Sequence, residues 1–93
     1  MVIGVIGWDL EIIGCQSLKE KRSVVNSLKA RLRDRFNVSV AETGRQDLWQ
    51  RAELAECVVA GDRRQADSIL AAVDRLVAAE ARARIIDSYR TFY

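Results

Sequence analysis

Ninety-three residues, 49% of them hydrophobic, suffice for one packed domain and not for two, and a core this small leaves room for one face to depend on a partner. Two cysteines and no histidine exclude a disulfide scaffold, a four-ligand zinc site and the usual histidine-dependent triads, so Cys15 and Cys57 are expected as reduced thiols and no metal or cofactor is expected. The net charge of +2 hides an asymmetry: residues 18–36 carry seven basic groups against Glu20 and Asp34, a local +5, which leaves −3 on the rest.

The first element is a strand from Val2 to about Ile13. Its even positions (Val2, Gly4, Ile6, Trp8, Leu10, Ile12) form one nearly uniform apolar face, whereas the odd positions mix Ile3 and Val5 with Asp9 and Glu11. The even face is the expected core. Interrupted by glycine and acid and lacking a basic start, this run matches neither a signal peptide nor a membrane span, so a cytoplasmic protein with no membrane contact is expected. Ser17 with Glu20 three residues later is a capping box, and Leu18, Val24, Val25, Leu28, Leu32 and Phe36 fall in one sector at ~100° per residue. They predict an amphipathic helix that ends near Asn37, a residue tolerant of left-handed geometry.

Val38 to about Glu42 alternates as a second strand, Gly44 marks a turn or bulge, and Leu48–Ala60 reads as a third strand. Glu53 and Glu56 lie an odd distance apart, so both can face solvent only with a bulge or at a sheet edge. Cys57 is read as filling a small gap in this strand. Asp62 with Gln65 makes a second capping box, followed by Ala66, Ile69, Leu70, Val73, Leu76 and Val77 at helical spacing to about Glu80. Ala83–Tyr93, rich in aromatic and β-branched residues, is the last strand. The order β-α-β-β-α-β is the split βαβ pattern of the ferredoxin-like superfold: a single α+β domain over residues 1–93, a four-stranded antiparallel sheet with two helices on one face. That superfold hosts many functions and fixes none.

The segments Ser17–Val25, Arg31-Leu32, Phe36–Glu42 and Gln46-Asp47-Leu48-Trp49-Gln50 resemble the YlxP-like family of small bacterial proteins, a family of unknown function, over essentially the whole chain and most specifically in its middle third. The resemblance implies this same fold. It also implies a context, because such proteins are commonly encoded beside translation-initiation and ribosome-maturation factors, which points to work on or near RNA. The chain departs from the family's pattern in carrying Glu53 and Glu56 where apolar residues are more usual.

Two constellations are candidates for function. On the helical wheel Lys19, Arg22, Asn26, Lys29 and Arg33 lie about 100° to 180° from Leu28, so Lys19, Arg22, Lys29 and Arg33 form a basic stripe suited to phosphates, or simply a solvated face. The second candidate is Glu42, Arg45, Asp47 and Arg51 around one hairpin, an ion-pair network or an acid-base site. No glycine-rich phosphate loop, metal cluster or activated nucleophile accompanies it, so no enzyme is expected. Trp49, Tyr89 and Tyr93 offer stacking surfaces, but RNP patterns are absent, which favours backbone-directed over sequence-specific RNA binding. The leading expectation is a non-enzymatic RNA- or ribosome-associated module. Its alternative is a homo-oligomeric scaffold or protein-interaction domain, with a homodimer covering the open sheet face because Ile3, Val5 and Ile13 lie on it and the last strand is aromatic.

Overall fold

The computed structural model describes all residues from Met1 to Tyr93. The elements are β1 (Val2–Ile12), α1 (Leu18–Arg35), β2 (Ser39–Gly44), β3 (Arg51–Ala60), α2 (Arg63–Ala78) and β4 (Ala83–Phe92). The sheet order is β2-β3-β1-β4 with every neighbouring pair antiparallel, so the fold is ferredoxin-like α+β. Alternation along β1 does what its sequence dictates: Ile6, Trp8, Leu10 and Ile12 are at most 1% exposed and lie against the helices. Trp8, wholly covered, still satisfies its indole N–H, which donates to Asp74 Oδ1 of α2 at 2.9 Å.

Both capping boxes form, each shifted by one residue. Ser17 Oγ accepts from the Glu20 N–H at 3.1 Å and the Glu20 carboxylate accepts from the Gln16 N–H at 2.8 Å. Asp62 Oδ1 accepts from Gln65 at 2.8 Å, and Gln65 Oε1 accepts from Gly61 at 3.2 Å. In both cases the returning side chain reaches the N–H just before the capping residue. Helix α1 ends near Asn37 as expected, but by another device: Phe36 turns extended at φ −135° and ψ 145°, and Asn37 is not left-handed. The only non-glycine residue at positive φ is Arg45, at 59°.

That residue explains a second correction. The third strand begins at Arg51 rather than Leu48, because Arg45 starts a turn in which the Leu48 N–H donates to the Arg45 carbonyl at 3.1 Å. The register of β2 on β3 shifts between Glu42 and Gly44, placing a bulge where Gly44 stood out in the sequence. A second irregularity pairs Asp9 with Asp87 and Leu10 with Ile85, leaving Ile86 as the extra residue on β4.

Neither a bulge within β3 nor an edge position reconciles Glu53 with Glu56, since β3 is an inner strand in continuous register with β1. Glu53 lies on the open face, and Glu56 is driven into the core between Ile6 and Val40, 2% exposed, with no hydrogen bond to either oxygen. Desolvation raises its pKa from 4.5 to about 7. The native state therefore holds a proton that the unfolded chain releases. Stability from the neutral carboxyl is full below pH 4.5 and falls as pH rises through about 7, by about 3 kcal/mol across that window. Glu80 has the opposite sign: hydrogen bonds from Arg82, and also from Arg31, outweigh its burial and lower its pKa from 4.5 to about 2, so its contribution is present above pH 4.5 and is lost toward pH 2. We expect urea unfolding of Glu56→Gln to lack the decline between pH 4.5 and 7 that the parent shows, and to exceed the parent's stability at pH 8. Parallel pH profiles for the two proteins would contradict this account of Glu56.

Candidate functional site

Helix α1 separates its cations by destination. Lys21, about 20° from Leu28 on the wheel, turns inward, its side chain 2% exposed. Its ammonium donates to the Arg45 carbonyl at 2.5 Å and pairs with Glu42 Oε2 at 3.1 Å. Arg31 leans toward α2 and pairs with Glu80. Lys19, Arg22, Lys29, Arg33 and Arg35 have no carboxylate partner, and of these only Lys29 is half-buried, the others being exposed. One stripe residue has a local task as well: Arg33 Nη2 donates at 3.0 Å to the Val40 carbonyl on the edge strand β2.

The same separation does not run through the rest of the chain. Arg45, Arg51, Arg82, Arg84 and Arg90 all pair with carboxylates. Of the eight basic side chains left without one, five are on α1; the others are Arg63, Arg64 and Arg75 of α2. Arg63 lies over the Phe92 ring at 3.7 Å to its centroid, which leaves α1 as the densest surface of uncompensated positive charge.

The four hairpin residues do not form one cluster. Glu42 faces the helix layer and is taken by Lys21, whereas the left-handed turn at Arg45 sends its guanidinium to the other side of the sheet. There Arg45 Nε and Arg51 Nη2 hold Asp9 at 3.2 and 2.6 Å. Asp47 is exposed and takes part in none of these pairs. The anchors missed in the sequence are thus Lys21 and Asp9. The wheel angle of Lys21 was a legible sign of burial; nothing local marked Asp9, whose arginines lie 36 and 42 residues away.

No three acidic or thiol groups converge as metal ligands would. The open face carries Tyr89 across Gly7, where no Cβ would fit, and Tyr93 at its lower edge. Trp49 is exposed in the loop before β3. No helix is long and apolar enough to cross a membrane.

Residues 3–90 match the family described as "Protein of unknown function (DUF503)". The chain belongs to this family. A relative of comparable length is the Bacillus subtilis (strain 168) protein described as "Uncharacterized protein YlxP", 38% identical over 69 residues, which are 74% of this chain and 75% of the relative. The resemblance carried by the middle third of the sequence is therefore membership of DUF503. Neither description names an activity, so any function must be argued from the geometry above.

Removing the Lys21 ammonium would leave Glu42 Oε2, already without a hydrogen bond, facing the core alone. We expect Lys21→Met to lower stability in urea by about 2–3 kcal/mol, and Glu42→Leu in the same chain to recover part of the loss. Asp47→Ala should change stability by less than about 0.5 kcal/mol. A large loss at Asp47 with none at Lys21 would reverse these roles.

Proposed function

We propose that this DUF503 protein is a non-enzymatic RNA-binding module, working on or near the ribosome, that contacts phosphates with the outward face of α1. The observation that supports the reading is the run of cations without carboxylate partners on α1, in a molecule whose other arginines are mostly paired. Lys19 to Arg33 spans about 21 Å of helix, so four contacts follow a backbone and read no base. The open sheet lacks an arrangement for reading single-stranded bases in its centre, where the small residues Gly7 and Ala55 lie beside Tyr89.

Replacing Lys19, Arg22, Lys29 and Arg33 together with Gln tests this. Three of the four make no side-chain hydrogen bond or ion pair, and Arg33 gives up one bond to the Val40 carbonyl of the edge strand, so circular dichroism should be unchanged. Retention of ribosomal RNA fragments should collapse. The parent should show a log-log salt slope of roughly −3, from ~0.7 counterions released per contact on single strands, and each single variant a slope shallower by about 0.7. Equal, weak retention by parent and quadruple variant at every salt concentration ends the proposal.

A further inference from the structure

The open face of the sheet is banded along the strand direction. At the top, two residues along the chain from the paired Glu11 and Arg51 and just outside the strands, come the exposed Ile13 and Trp49. Below them comes a row that is mainly basic, Arg84, Glu11 and Arg51, and then an acidic row, Asp87, Asp9 and Glu53. Next is an uncharged row of Tyr89, Gly7 and Ala55, below which the face continues without charge through Thr91, Val5 and Cys57 to Tyr93, Ile3 and Val59. These four upper rows run apolar, mainly positive, negative, uncharged, a self-complementary order, because reversing them places uncharged on uncharged and, along β3 and β4, each charge on its opposite.

The geometry points to a second copy of this chain as the occupant of the open face, related by a two-fold axis that lies in the interface, perpendicular to the strands, between the Glu11 and Asp9 rows. Such an axis reverses the rows and keeps each strand over its own counterpart. Arg84 then faces Asp87 of the other copy along β4, and Arg51 faces Glu53 along β3, each twice by symmetry. Along β1, Glu11 meets Asp9, but both are already held, by Arg84 and by Arg45 with Arg51. Trp49 arrives over the Ala55 row, beside a depression of about 220 Å³ lined by Val5, Ala41, Ala55 and Cys57. A large aromatic anchor entering a hollow of small residues is how interface hot spots are built.

Four rows about 6.8 Å apart on four strands about 4.8 Å apart give a footprint of about 500 Å², short of the roughly 800 Å² per partner of a stable complex. The dimer is accordingly concentration-dependent. It is also independent of the phosphate-binding stripe, which lies on the other side of the sheet.

Sedimentation of the purified protein across a concentration series is the test. The parent should pass from monomer to dimer by high micromolar concentration, with a blue shift in tryptophan emission that Trp49→Phe abolishes, since Trp8 is buried throughout. Trp49→Ala, Arg84→Glu and Asp87→Arg should each weaken association about tenfold or more. Mixing Arg84→Glu with Asp87→Arg should restore it, because the mixed pair recovers both opposite-charge contacts. A parent that stays monomeric at high micromolar concentration overturns the proposal. A dimer indifferent to all three substitutions, or charge variants that fail to rescue one another, overturns it as well.

Discussion

One buried ammonium decides how this molecule presents itself. An amphipathic helix on a sheet is held by non-directional contacts, and Val24, Val25, Leu28 and Leu32 would tolerate small slides or rotations. Lys21 does not. With its side chain 2% exposed, it must meet both the Arg45 carbonyl and Glu42, because a charge left unpaired in the core is far costlier than any packing adjustment. That requirement fixes the rotation of α1, and so directs Lys19 and Arg22 to solvent and leaves Lys29 half-exposed. It also holds the left-handed turn from which the Arg45 guanidinium crosses to Asp9 and Trp49 is carried into the open.

Element order and the two faces of β1 were legible because period 2 and period 3.6 are set by burial, and burial is written in residue type every second or every third to fourth position. The two helix starts were legible because Ser17 and Asp62 satisfy backbone donors within four residues. What could not be read depended on partners distant in sequence. Leu48–Gln50 looked like strand since β-propensity favours it, yet the carbonyl of Arg45 and the pull of Lys21 make it a loop. The hairpin charges looked like one cluster since they are close in sequence, but a strand sends neighbours to opposite faces and a bulge changes which is which.

Glu56 shows the converse limit. Its neighbours at even spacing, Ala52, Leu54 and Val58, are core residues, so the alternation of β3 already placed position 56 inside. Charge argued for a surface position, and the strand period won because moving one side chain outward would require moving the whole inner strand out of register with both β1 and β2. The carboxyl adapts by keeping its proton, which makes the interior of β3 a pH-dependent element behind a face that carries Glu53 and Ala55.

The two proposed surfaces occupy opposite sides of the sheet, and this sets what they can do together. Two sheets stacked face to face stand about 10 Å apart, and each carries its helices about 10 Å beyond, so the two α1 axes lie about 30 Å apart with their basic faces turned away from each other. A short oligonucleotide on one stripe cannot reach the other, because it would have to pass around both sheets to do so. Under the proposed phosphate contacts, binding of such a ligand would be one per protomer, with the salt dependence of a single stripe whether the protein is monomeric or paired. Only a long or folded RNA that wraps the dimer gains from both stripes, through the effective concentration that the first contact creates. If both proposals hold, pairing through the open face would leave recognition of short strands unchanged and favour large structured RNA.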